Sequence, residues 1–320
     1  MIPLYTGTET TITYCSADKQ TTVFGYFYTM PGVEPKAVLQ IAHGMQEYIR
    51  RYRHLAYFLA SQGYVVCGND HLGHGLTSGD SGNDGWFAAR GGDRYVLQDL
   101  HRMTEIAKER YPDLPYYLLG HSMGSFFARW YATVYPAALD GLIISGTGGP
   151  NPLSGMGIAL ANLLGKLKGG KHRSPLMTKI MFGSYCKKIP GATSGREWVM
   201  RDREALAEYT SDPKCSFSFT VDGYRDLITV LQRVNRPDWG REIPATLPVL
   251  IVSGDADPVG NYGKGVEAVR DLLVNAGVMD VTMRLYPNCR HELHNELPEY
   301  KEQFYQELLQ WLDAHVESRG

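Results

Sequence analysis

A serine hydroxyl attacks a carbonyl only when a base takes its proton and a third group holds that base in place. Residues 115–125, "PYYLLGHSMGS", invite that chemistry. An apolar run ends at Gly120, Ser122 stands two residues on, and Gly124 leads into the helix-like "SFFARWYATVY". A strand-to-helix corner of the G-x-S-x-G type lifts its serine above a sheet, and the tight turn demands small residues two before and two after it. Gly120 and Gly124 meet that demand, and the N–H groups opening the helix favour negative charge at the serine. Ser122 is the candidate nucleophile. An orienting acid and a histidine should follow in chain order, each just past a strand. "LPVLIVSGDADPVG" supplies Asp255 or Asp257, and "VTMRLYPNCRHELHNE" supplies His291 or His294. The oxyanion of the tetrahedral intermediate needs preorganised N–H donors. The backbone of Met123 is one. The loop after "AVLQIA", which Gly44 lets approach closely, offers Met45 as the other. His43 reads as a hydrogen-bonding stiffener of that loop.

The elements that must position these groups follow from periodicity. "TTVFGYFYTM", "AVLQIA", "YVVCGN", "PYYLLG", "LDGLIISG", "LPVLIVSG" and "VTMRLYP" are short apolar runs bounded by turn residues and read as strands. "YRHLAYFLASQ" and residues 92–110, 122–135, 262–276 and 297–316 carry helical spacing. Alternating strands and helices predict a mostly parallel sheet covered by helices on both faces. The alternation breaks between about Gly148 and Leu247, where helix-like pieces occur without a convincing strand. A helical insertion into an α/β sheet accounts for the break.

Composition excludes several classes. A net charge of −2 gives no sign of a nucleic-acid partner. The start, "MIPLYTGTETTITYC", lacks a basic segment followed by an apolar one, so no signal peptide is read. The apolar runs are too short to span a bilayer. Cysteines at 15, 67, 186, 215 and 289 form no framework, and a reducing cytoplasm is expected. His71 and His74 have no ligand partners at metal spacing, and the glycines at 91–92 and 146–149 lack a phosphate-loop lysine, so neither metal nor cofactor is implied.

The motifs together resemble the α/β-hydrolases of the monoacylglycerol lipase and lysophospholipase group, across nearly the whole chain and most weakly in the insertion. "HGMQEYIRRY" is similar to that group's H-G-x-x-E-x-x-x-R-Y loop, "NDHLGHGLTSG" to its D-x-x-G-H-G-x-S-x-G, and "LLGHSMGS" to its elbow. "SGDADPV" is similar to its G-x-x-D-x-V, which selects Asp257, and "YPNCRHELHNE" to a pattern whose first histidine is catalytic, which selects His291. The resemblance implies an α/β-hydrolase fold, with 1–147 and 241–320 as core and 148–240 as a helical cap. It also implies that Glu47 and Arg51 pair and help receive a polar leaving group, where the plain alternative is a surface ion pair. Tyr48, Thr77 and Ser125 depart from the pattern, which commonly has histidine, serine and glycine at those places.

The function so implied is hydrolysis of single-chain carboxylic esters, of monoacylglycerol or lysophospholipid type, by Ser122, Asp257 and His291 through an acyl-enzyme. Medium and long chains are expected to be preferred over acetyl esters, with triacylglycerols excluded by size. Small-ester carboxylesterase or amidase activity with the same triad is the alternative, and a non-catalytic binding protein a third. "HGMQE" lacks the H-G-G-P-G of prolyl iminopeptidase-like relatives, which argues against peptides. Trp86, Phe87, Phe217 and Phe219 are candidates either for an acyl-pocket wall or for plain core. From Gly141 to Arg196 there are six lysines and two arginines but no acid, and "IALANLLGKLKGGKHR" couples an apolar face to a basic end. That pattern suits transient contact of the cap with a membrane surface, or alternatively a solvated helix face.

Overall fold

The computed structural model describes residues 7–79 and 81–317. The first six residues of the stretch read for a leader lie outside them. Strands β1 (Thr8–Cys15), β2 (Thr22–Thr29) and β3 (Ala37–Ala42) lead into α1 (Arg53–Ala60) and β4 (Tyr64–Asn69). Next come α2 (Gly92–Arg110), β5 (Tyr116–His121), α3 (Met123–Val134) and β6 (Gly141–Ser145). Four helices follow without a strand: α4 (Ser154–Lys168), α5 (Pro175–Phe182), α6 (Arg203–Ser211) and α7 (Val221–Val234). The rhythm resumes with β7 (Val249–Gly254), α8 (Lys264–Asn275), β8 (Val281–Tyr286) and α9 (Pro298–Glu317).

The eight strands form one sheet in the order β1-β2-β4-β3-β5-β6-β7-β8, parallel from β4 onward and antiparallel at β1 and β2. The buried strands read as continuous apolar runs because both of their faces are covered. Alternate residues divide between the two faces. Val38, Val65, Leu118, Ile144 and Ile251 pack toward α2, α3 and α8, and Leu39, Val66, Leu119, Ile143 and Leu250 toward α1 and α9. The expected α/β-hydrolase architecture is present. β1 was not anticipated: it is threonine-rich, lies at the edge, and buries little, so it has no apolar signature. Among the described residues, no helix is long and apolar enough to cross a membrane.

The chain moves from β3 to β4 on one side and from β5 to β6 on the other. Neighbouring strands β3 and β5 therefore mark the point where the strand order reverses. Ligand crevices in open α/β sheets form at such a point, beyond the carboxyl ends of the strands. The loops carrying Gly44 and Ser122 leave the sheet there, with Ala42 in register with Gly120.

Candidate active site

Ser122 occupies the corner between β5 and α3 with φ 53° and ψ −121°, a conformation that L-residues rarely adopt. The surroundings hold it there. Its N–H donates to the Ser145 carbonyl (2.9 Å), and a methyl group at Gly124 would lie 2.0 Å from the Ala42 carbonyl oxygen. Only glycine fits at 124, because the elbow helix runs against the end of β3. Such strain is stored where surrounding packing over-determines the backbone. Gly44 approaches from the other side, where an added Cβ would meet that of Ser122 at 3.0 Å.

His291 Nδ1 lies 2.8 Å from Asp257 Oδ2, and both side chains are buried. Asp257 also accepts the Val259 N–H (2.9 Å) and lies 3.4 Å from the Ser253 hydroxyl. A buried carboxylate fixes the proton on Nδ1 and leaves Nε2 as the basic nitrogen. Burial acts to lower the His291 pKa, but the charge and hydrogen bond of Asp257 outweigh it, and the net shift is upward. Asp255 is exposed and caps the turn after β8 by accepting the Asn288 N–H (2.6 Å). His294 stacks on Tyr52 at 4.3 Å and takes no part in the Asp257 pair. Ser122 and His291 line one cavity of about 720 Å³, together with Met45 and Met123. No hydrogen bond joins the two side chains in this structure, and such contacts commonly tighten only around bound substrate.

Met123 is the first residue of α3, so its N–H has no acceptor within the helix. The loop bearing Met45 is stiffened as expected. His43 Nε2 accepts the His71 N–H (2.9 Å), which places the ring proton on Nδ1, 2.8 Å from the Gly44 carbonyl.

Glu47, Arg51 and Glu292 form a buried chain beneath this loop. Arg51 donates through two nitrogens to Glu292 (both 2.7 Å) and to Glu47 (3.0 Å), and its guanidinium lies 4.6 Å from the Tyr209 ring. Glu47 also accepts from Tyr52 (2.8 Å) and from the Gly44 N–H. Glu292, despite burial, is held well below the usual carboxylate range by Arg51, whereas burial and the neighbouring Glu292 charge push Glu47 upward. Glu47 and Glu292 face the cavity, and Arg51 stands behind them. The surface-pair alternative does not hold, because all three side chains are largely buried. Sequence reading missed Glu292. Its signal was an acid immediately after the candidate histidine.

The aromatic residues divide differently from expectation. Phe87, Phe217 and Phe219 pack around His74 at 6.0, 5.6 and 5.3 Å, Trp86 lies under Lys171 at 4.1 Å, and none of the four lines the cavity. Phe87 and Phe219 are core and Phe217 packs against it, because the loop from His71 to Gly79 turns inward beneath them, whereas Trp86 is half-buried. The wall near His291 comes instead from the insertion. Trp198 lies 5.1 Å from the His291 ring, with Tyr185 at 4.9 Å and Phe182 at 6.0 Å from Trp198. Of the departures from the family pattern, Thr77 accepts the Phe24 N–H (3.0 Å), and Tyr48 donates to Asp212 of the insertion (2.7 Å).

The sheet, the elbow and the buried histidine–carboxylate pair define an α/β-hydrolase of the serine type. The chain belongs to the family described as serine aminopeptidase, S33 (Hydrolase_4), whose model matches residues 33–298. It is a carboxylic ester hydrolase. It is 30% identical over 296 residues to the monoacylglycerol lipase of Mycolicibacterium smegmatis (89% of this chain, 91% of the relative). It is 27% identical over 303 residues to the human monoglyceride lipase (92% and 88%). A crystal structure of a thermostable carboxyl esterase from Bacillus coagulans in complex with glycerol superposes with a TM-score of 0.90 at 30% identity, covering 97% of this chain and all of the other.

Proposed function

We propose that this enzyme hydrolyses esters of single acyl chains, of the monoacylglycerol or lysophospholipid type, with Ser122 as nucleophile, His291 as base and Asp257 as its orienting acid. The observation that carries the reading is the buried His291–Asp257 pair (2.8 Å) opening, with the strained Ser122, onto one cavity of about 720 Å³. His291 Nε2 takes the Ser122 proton as Oγ adds to the ester carbonyl. The oxyanion is received by the N–H groups of Met45 and Met123. His291 then gives the proton to the departing alcohol, leaving an acyl-serine that water cleaves by the same steps in reverse roles.

Residues 148–240 act as a cap over this site. Met156, Leu160, Met177, Met181 and Leu231 give the cavity an apolar wall that suits an acyl chain. Glu47 and Glu292, held by Arg51, give the same cavity hydrogen-bond acceptors for the hydroxyls of a small polar leaving group. Leu153, Met156 and Ile180 both line the cavity and are exposed outside it, so the rim is continuous with an apolar outer face. Leu163 and Leu167 extend that face, and Lys166 and Lys168 close the last turn of α4. This arrangement supports transient docking of the cap on a lipid surface from which substrate enters. The five cysteines are unpaired, which fits a cytoplasmic enzyme.

Each methylene buried in the cavity is worth about 0.8 kcal/mol, so kcat/KM should rise with chain length until the cavity is full. A series of p-nitrophenyl esters from acetate upward tests this. A peak at medium or long chains supports the lipid-ester reading, and a maximum at acetate with a steady fall replaces it with a small-ester carboxylesterase.

A further inference from the structure

Arg129 is wholly buried at the centre of α3, and burial lowers its pKa with no charged partner to compensate. Among the described residues it forms no ion pair, and its Nε has no hydrogen-bond partner. A buried, unpaired charge is costly, and its retention calls for something that a neutral side chain could not do. The remaining guanidinium donors show what that is. Nη1 donates to the Gly148 carbonyl (3.2 Å) and to Thr147 Oγ1 (3.4 Å), where the chain leaves β6 for the insertion. Nη2 donates to Asn235 Oδ1 (3.0 Å) and to the Val234 carbonyl, where the chain comes back at the end of α7. Asn235 Nδ2 donates in turn to the Gly148 carbonyl (3.3 Å), closing the loop between exit and return. The Trp239 ring lies 4.3 Å from the guanidinium, and its indole N–H donates to the Arg129 carbonyl (3.1 Å).

One side chain thus holds both crossings between the sheet and the insertion. Its planar fork can reach both at once, which a single ammonium could not. The same network runs back to the elbow. The Ser125 hydroxyl lies 2.5 Å from the Ser122 carbonyl and 2.9 Å from Thr147 Oγ1, and Thr147 is the residue that Arg129 binds. A glycine at 125, as the family pattern commonly has, would lack this link. The cavity depends on the posture so fixed, since Gly148 lines it at one crossing and Leu227, Ile228 and Leu231 of α7 line it near the other.

We propose that Arg129 is a positioning residue for acyl-chain selection: it clamps both crossings of the insertion to the elbow helix and so sets the roof under which a long chain must lie. Short esters, which do not reach that roof, depend on it far less. The proposal rests on the ester-hydrolase reading for its kinetic test but not for its structural one.

The test compares the parent enzyme with Arg129→Lys and Arg129→Gln, using p-nitrophenyl acetate and decanoate, with amide hydrogen exchange on the same samples. Clamping predicts that kcat/KM for decanoate falls tenfold or more, mainly through KM. The value for acetate should change less than threefold, and exchange should speed up in peptides covering both 147–153 and 231–238. Equal loss on both esters, with exchange raised throughout the sheet, would mean that Arg129 serves folding alone and would overturn the proposal. Should both variants fail to fold, Asn235→Leu, which removes one of its acceptors and the bond to Gly148, must still lower the decanoate-to-acetate ratio, and an unchanged ratio overturns the proposal. If the parent enzyme cleaves neither ester, the functional reading has failed, and the exchange pattern decides the clamp by itself.

Discussion

Helices α3 and α4 are both apolar, yet the fold treats them in opposite ways. α3 buries every residue from Met123 to Ala132, wedged between the sheet and neighbouring helices. α4, longer by three residues, buries only Ser154 and Ala161 and leaves Met156, Leu163 and Leu167 exposed at 66, 54 and 71%. The first helix is fixed on all sides, which is what allows the backbone at Ser122 to stay strained. The second lines the cavity through Met156, Gly157 and Leu160 and packs along α7, leaving its outer side to solvent. The candidate nucleophile thus opens a helix that is buried all round, and the cavity is lined in part by one that is mostly exposed.

The comparison can be broken at its rigid side first. Asp257→Asn should lower kcat by about 10⁴-fold, because a neutral amide neither fixes the imidazole tautomer nor stabilises the imidazolium. Asp255→Asn should leave turnover within a few-fold, since Asp255 serves a surface turn. The reverse result in a steady-state assay would assign the orienting role to Asp255 and overturn the choice of Asp257.

A smaller effect concerns pH. Asp257 raises the His291 pKa against the opposing effect of burial, with Glu292 and Glu47 adding to the upward shift. The base acts only when neutral, so activity should be lost as pH falls through a value above the ordinary histidine figure of about 6.5, by tenfold for each further unit. A kcat/KM profile whose acid limb lies below that figure would contradict the electrostatics described.

The exposed side should respond least. Replacing Leu163 and Leu167 together by Gln should leave stability within about 0.5 kcal/mol for each site, as for exposed positions generally. Sedimentation with anionic phospholipid vesicles should fall several-fold, while hydrolysis of a dispersed short ester is unchanged. Equal sedimentation of parent and variant would remove the docking role of α4.

Much of this was legible in the chain. The strands of the sheet centre announce themselves because burial on both faces leaves them uniformly apolar, and the elbow because a tight turn restricts its flanks to glycine. What stayed hidden had no local signature. β1 is an edge strand of threonines. Glu292 looks like any surface acid until Arg51, far away in sequence, turns toward it (2.7 Å). Trp198 and Tyr185 lie in a stretch between α5 and α6 without helical or strand period, so nothing marked them as neighbours of His291. Phe87, Phe217 and Phe219 misled for the opposite reason: aromatic residues advertise burial but not which cavity, if any, they face.

Reaction with a fluorophosphonate followed by peptide mass mapping tests the central claim most directly. It asks whether the strained serine at the end of β5 is the nucleophile. The account predicts one adduct per chain, on the peptide containing Ser122, and its loss in Ser122→Ala together with ester hydrolysis. Full labelling of Ser122→Ala, or an adduct at any other serine in the parent enzyme, would contradict it.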